Sequence, residues 1–470
     1  MATQGLNVAD YVVMAIFVGI SSLIGFYYGL CTKQRTTEEY LLGGRRMHLL
    51  PVAISLAVTF QSAISIMGTS AEIYMYHTMG TYGDIGFIMA TIFQAFAIVP
   101  LMHPLKLTSS YEYLYLRFES RAVQLLATVL GMLQTLLYIS IVLFTPALAL
   151  EAVVNIPLWL SIVVMGAVGT IYTAIGGMRS VIWTDVFQFM MLYGGITVVL
   201  IMAGVEIGSL SKIFSLADEG KRIRFDIISG DPRVRHTVWG CIINGLFNSL
   251  PNFFGQSSIQ RISSIKIQKD AERSALLNIP ISMFFILVLQ LTGISVFAYF
   301  SSHQCDPLES GQIENPNQLV PFFVMNVLSS TPGLTGIFLA AMFSASLSSL
   351  SSGISSLTAN TLQDLLPYCL KNVTQTRKTA YAKLIALCYG CAVVGVAYLL
   401  RRLHGPVGQI TAVAVGSTGG PAVGLFLLGA TSPFPDWVAA LVGGVVGVAF
   451  TAYLSITTTL YRQPDVTSAP

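Results

Sequence analysis

The sequence predicts an all-α polytopic membrane protein of about twelve transmembrane helices. Of 470 residues, 54% are hydrophobic and only 10% charged, less than half of the ~25% usual in soluble domains. Mean hydropathy is +0.71. Apolar stretches of the ~20 residues needed to cross a bilayer recur along the whole chain. Twelve of them would place about 240 residues in lipid and leave no room for a separate soluble domain. The 25 Lys+Arg nearly balance the 22 Asp+Glu, so no field exists for gripping nucleic acid. Six cysteines, at 31, 241, 305, 369, 388 and 391, include a single CxxC spacing, Cys388 to Cys391, and no histidine at ligand spacing, which argues against zinc and a disulfide framework. Cys388 and Cys391, inside an apolar run, read as packing residues.

In chain order the spans are expected at 9–31, 50–77, 82–103, 122–151, 157–175, 181–206, 236–257, 274–300, 332–362, 378–401, 406–430 and 434–456. The segment before the first span has no Lys or Arg, whereas Lys33, Arg35, Arg45 and Arg46 follow it. By the positive-inside rule the N-terminus is outside, opposite to a cleavable signal peptide. Sixteen of the 25 basic residues then fall in cytoplasmic loops; six of the other nine lie in the long outer loop 207–235, where the rule is weakest. The sequon Asn372-Val373-Thr374 falls inside and is expected to carry no glycan. Twelve spans return the C-terminus to the outside as a polar tail, 457–470.

Spans 2 and 7 carry polar interruptions at an interval of five spans. Span 2 has Thr59, Gln61, Ser62, Ser65, Gly68, Thr69 and Ser70; span 7 has Asn244, Asn248, Pro251, Asn252, Gly255 and Gln256. Pro251 removes a backbone donor and disfavours helix at Leu250, so the second break is expected there. Transporters built from inverted repeats place their sites where matching spans break near the midplane, and freed carbonyls there can hold ions. Small-residue helix packing is the other reading of each span alone.

Span 9 has eight serines among the thirteen residues from Ser344 to Ser356. Ser348, Ser352 and Ser355 share one face, and Ser349, Ser352 and Ser356 another. Hydroxyls are hard neutral ligands suited to a small alkali cation; a close-packing face is the alternative. Asp185 is the one acid read as lying clearly within a span. A charge there costs at least ~2.5 kcal/mol at the centre, which suits a cation's inner path or a salt bridge to Arg179 or a neighbouring helix. Glu72, Glu151 and Glu206 read as solvated outer ends. The six histidines have no partnered carboxylate in a motif, so enzyme chemistry is not expected.

Five segments, LTSSYEYLYLRF (107–118), YTAIGGMRSVIWTDVFQ (172–188), GDPRVRHTVW (230–239), PGLTGIFLAAMFSASLSSLSSGIS (332–355) and STGGPAVGLF (417–426), carry a resemblance. Together the chain from about 10 to 456 resembles the sodium/solute symporter family, most like its animal branch of sodium-coupled monocarboxylate, multivitamin and iodide transporters. FQSA (60–63) and EIY (72–74) look like the multivitamin member; GGRRM (43–47) and CDP (305–307) look like the others.

The resemblance implies a LeuT-type fold of two inverted five-helix repeats, spans 2–6 (about 50–206) and 7–11 (about 236–430), after a leading span 9–31 and before an extra span 434–456. It implies a plasma-membrane protein coupling inward sodium flow to uptake of a small organic anion, a monocarboxylate or carboxylated vitamin, with no cofactor beyond the coupling ion. It also implies a sodium site at the carbonyls of Val58, Gln61 and Ala345 and the hydroxyls of Ser348 and Ser349, with Asp185 near the inner path. Substrate would sit beside the break against Phe60, Ser62, Ser65, Tyr138 and Gln256. Helix packing is the other reading of Phe60 and Tyr138. An inorganic anion such as iodide, or a transport-inactive sensor or partner, is the alternative function. Two departures stand out: FFGQSSIQR (253–261) keeps Gln256, Gln260 and Arg261 but lacks the family's usual tyrosine and asparagine, and the chain stops where related members continue to a further span.

Overall fold

A computed structural model describes residues 6–31, 34, 36–154, 156–231, 233–313, 315–328, 331–402 and 407–460. Lys33, Arg35, His404 and residues 461–470 of the expected tail lie outside the described residues; residues 457–460, expected as tail, continue the last helix. Helix α1 (Val8–Cys31, 24 residues) is ~36 Å long at 1.5 Å per residue, enough for a bilayer core of ~30 Å. Helices α2 (Leu49–Phe60) and α3 (Ala63–Met75) form one span bent by 57°. The bend falls at Gln61 (φ −93°, ψ 89°) and Ser62 (φ −100°, ψ 170°); an extended serine preceding a helix is the usual N-cap geometry. Helix α4 (Tyr82–Phe93) continues through a π turn and short turns to Leu105, and α5 (Arg121–Val154) follows.

Helix α6 (Leu158–Ile207, 50 residues) would be ~75 Å long if straight. It is two spans, because Gly177 (φ 59°, ψ −162°) turns the chain back. Before the turn Tyr172 and Ile175 press on Gly25 and Gly29; after it Trp183 stacks on Tyr28 and Phe187 on Phe17. The numbering thus climbs α1 and then descends it, the signature of a hairpin. Only glycine fits the bend: φ is left-handed, and an added Cβ would lie 2.7 Å from the Tyr40 carbonyl.

Helix α7 (Val238–Phe254) runs through Pro251 and meets α8 (Gln256–Ile262) at Gly255 (φ −62°, ψ 151°). The break therefore comes four residues later than the proline predicts. Gly255 permits the close approach at the bend, where an added Cβ would meet the Pro251 carbonyl at 2.8 Å. The remaining spans are α9 (Gln268–Ser302), α10 (Leu334–Asn360), α11 (Gln375–Leu399), α12 (Val407–Thr431) and α13 (Trp437–Leu460). Nine described helices are individually long and apolar enough to cross a membrane, and the bent α2–α3 pair makes ten. Counting both arms of α6, and α7–α8 as one, recovers all twelve expected spans.

Helix α10 is central. In its most apolar stretch 94% of residues are buried, against 11% for α13, and it packs on α6, α5, α1 and α2. Asp10 of α1 pins its start by accepting from Gly336 N at 2.8 Å. Two sequence expectations change here. Asp185 is not the sole charge inside the bundle: Arg261, counted as a loop cation, is 1% exposed, and Asp364 is fully buried. Cys388 and Cys391 are exposed on α11 rather than packed inside.

Candidate functional site at the broken span

The α2–α3 break lies against the serine face of α10. Ser348 Oγ is 3.3 Å from the Val58 carbonyl and 3.1 Å from the Ala345 carbonyl; Ser349 Oγ donates to the Thr59 carbonyl at 2.9 Å. Val58 O also accepts from Gln61 N at 3.2 Å. All of these groups are buried. A hydroxyl oxygen keeps lone pairs while it donates, so a small turn of the two serine rotors would aim oxygen at a shared cation among the carbonyls. Tyr138 from α5 stands with Ser349 on the wall of a small cavity behind the break.

A cavity of about 690 Å³ opens beside the break, lined there by Phe60, Gln61 and Ser65 and at its far end by Glu72, Arg235 and His236. Those last residues sit on the face bearing the N-terminus, so the cavity opens to that face. The Gln61 side chain belongs to the cavity wall: Tyr193 donates to its Oε1 at 2.8 Å and its Nε2 donates to Ser282 at 3.1 Å. At the mouth Glu72 binds Arg235 at 2.5 Å and His236 at 3.1 Å; it is paired, not simply solvated. A second cavity of about 40 Å³ lies behind the break, lined by Phe60, Tyr138, Gln256 and Ser349 among others, large enough for a water.

Two expected residues lie apart from this cluster. Asp185 accepts from Ser55 at 2.5 Å and from Arg261 at 2.9 Å, with exposures of 0% and 1% for the ion pair. Its partner is therefore Arg261; Arg179 instead donates to the Gly43 carbonyl. Arg261 also bonds Ser55 and Ser352, and Ser352 reaches Thr59, so a buried polar chain joins Asp185 to the break. The second carboxylate oxygen of Asp185 has no hydrogen-bond partner among the described residues. Gln256 touches the small cavity, but its amide donates to Thr108 O at 2.6 Å and accepts from Ser110 N at 2.7 Å.

These bonds belong to a seal on the opposite face. Asp364, after α10, accepts from Ser109 (2.5 Å), Gln124 (2.8 Å) and Thr128 (3.2 Å). Arg45 reaches the carbonyls of Lys106 and Ser263, and Gln260 that of Leu41. Sequence reasoning missed Asp364, although the polar positions 348, 352, 356, 360 and 364 recur every four residues, which is the period of one helix face. It also missed the depth of Arg261, which lies between the apolar Ile259 and Ile262.

The model described as "Sodium:solute symporter family" matches residues 40–447. The human sodium-coupled monocarboxylate transporter 1 is 36% identical over 456 residues, covering 96% of this chain and 74% of that protein. The sodium-dependent multivitamin transporter of Oryctolagus cuniculus is 35% identical, covering 97% and 71%. Among solved structures, a Na⁺-coupled sialic acid symporter in a substrate-bound outward-open state superposes with a TM-score of 0.82 at 24% identity, covering 97% of this chain and 98% of that one. That likeness establishes the fold as LeuT-type.

Proposed function

The chain belongs to the sodium:solute symporter family, and from that premise we propose that it couples inward sodium flow to uptake of a small organic anion, a monocarboxylate or carboxylated vitamin, across the plasma membrane. The observation that carries the reading is the convergence of Ser348 and Ser349 on the carbonyls of the α2–α3 break, directly beside a cavity open to one face. Sodium sits among the carbonyls of Val58, Gln61 and Ala345 and the two hydroxyls, with Asp185 on its inner path. The organic anion sits at the break against Phe60, Ser62, Ser65 and Tyr138, its carboxylate toward the N-terminus of α3, where backbone donors and the helix dipole favour negative charge. Gln256 acts from the smaller cavity.

The work comes from sodium. One charge crossing 100 mV yields about 2.3 kcal/mol, and the concentration gradient adds to it. The N-terminal face is extracellular in this reading, so the cavity is outward-open and the Asp364 and Arg45 bonds close the inner side. The two halves, about 50–206 and 236–430, exchange these roles during alternating access. The test is uptake of labelled lactate, biotin and iodide in cells expressing the chain, with and without sodium. Sodium-dependent uptake of an organic anion is expected; sodium-dependent uptake of iodide alone, or no sodium-dependent uptake of any, would overturn the proposal.

A further inference from the structure

Helix α7 divides into three stripes. One is a seat against α4: a Cβ on Gly245 would fall 2.0 Å from the Gly83 carbonyl, and one on Gly86 2.1 Å from the Ile242 carbonyl. Backbones that close fix the rotation of the helix. The second stripe, Trp239, Ile243 and Phe247, is exposed and apolar, as a lipid-facing surface must be. The third is Asn244, Asn248 and Asn252, at intervals of four residues, all lining the larger cavity. At 1.5 Å rise per residue they form a column ~12 Å long, and Asn252 at its lower end also lines the small cavity behind the break.

The column differs from the α9 side of the wall in its hydrogen bonding. On the α9 side the polar groups satisfy one another: Gln61 with Ser282, Ser282 with Asn278 at 2.7 Å, and Gln290 with Asp84 at 2.8 Å. Among the described residues no hydrogen bond involves the side chains of Asn244, Asn248 or Asn252. Each amide offers two donors and an acceptor, and the glycine seat holds all three toward the cavity.

We propose that Asn244, Asn248 and Asn252 are specificity-determining residues, a ladder of amides that recognises a neutral polar tail on the transported carboxylate. This rests on the transport reading above and deepens it. The anion's carboxylate lies at the break, and its tail runs along α7, where amide, ureido or hydroxyl groups find partners that an alkyl chain cannot use. A site built for such groups discriminates against analogues lacking them, by roughly two- to tenfold per neutral hydrogen bond.

The experiment compares sodium-dependent uptake of an ω-acetamido alkanoate with that of the plain alkanoate of equal chain length. The unaltered protein favours the acetamido acid, and Asn244→Leu, Asn248→Leu and Asn252→Leu each lower the uptake ratio two- to tenfold, while Asn248→Ser restores some of it. A purely structural role would depress both probes together and leave the ratio fixed; an unchanged ratio in all three leucine variants, or a preference for the plain alkanoate in the unaltered protein, overturns the ladder while transport stands. No sodium-dependent uptake of either probe, or of lactate, biotin or iodide, overturns the transport reading and the ladder with it.

Discussion

Replacing Asp185 with leucine tests the buried ion pair. The substitution leaves the Arg261 guanidinium 1% exposed without its counterion, and arginine does not shed its proton. Three neutral acceptors remain around it: Ser55 Oγ at 2.7 Å, the Ser257 carbonyl at 2.9 Å and Ser352 Oγ. They soften the loss without neutralising the charge. Breaking a buried pair from one side costs about 3–5 kcal/mol, a factor of more than a hundred in a two-state equilibrium at 1.4 kcal/mol per decade. Removing both charges, Asp185→Leu with Arg261→Met, leaves no stranded ion and returns most of that stability, since apolar replacements of buried pairs are often near neutral. The assay is thermal inactivation of the purified protein in detergent for both single variants and the double. Single variants are expected to inactivate well below the parent and the double close to it. If Asp185→Leu is as stable as the parent, or the double loses the sum of the singles, the pair is not a coupled unit and the reasoning fails.

Ser348→Ala with Ser349→Ala removes both hydroxyls facing the carbonyls. Apparent sodium affinity in uptake is expected to fall at least tenfold, from about 1.5–3 kcal/mol per contact with a charged group; an unchanged value refutes the mapped site. Gly177→Ala forces a left-handed residue into contact with the Tyr40 carbonyl and is expected to cost about 1–3 kcal/mol, read as lower thermal stability; parent-like stability refutes the hairpin geometry. Asp364→Leu strands the donors of Ser109, Gln124 and Thr128 at about 1–3 kcal/mol each. Faster amide hydrogen exchange across 107–118 is the expected readout, and unaltered exchange there would show that Asp364 does not hold the segment.

Much of this was legible because bilayer length and side-chain period are strong local signals. The twelve spans, the polar interruption of span 2 and the serine face of α10 each follow from a few adjacent residues. What escaped depends on contacts distant in sequence. Arg261 reads as one more cytoplasmic cation until Asp185, 76 positions earlier, is seen beside it. Pro251 is the more conspicuous helix breaker, yet the helix runs through it to Phe254 and the chain bends at Gly255, where the Pro251 carbonyl leaves no room for a side chain. The bonds of Gln256 were hidden for the same reason: the resemblance marked it as a binding group, and only the fold shows that the backbone of 108–110 holds its amide while it lines the smaller cavity.

The bonds on the face opposite the cavity differ in strength from the ion pair above them. Beside Asp364 and Arg45, several join a side chain to main-chain oxygens and nitrogens: Gln256 to 108 and 110, Gln260 to Leu41, His103 to Ile265. Each contributes on the order of 0.5–1.5 kcal/mol, and they come from separate stretches of chain. Such a closure behaves as a row of weak fasteners rather than a bolt. In the proposed cycle these neutral contacts can release singly, each on the scale of a single ion's fall through the membrane voltage, and leave Asp364, with its three donors, as the strongest hold on that face.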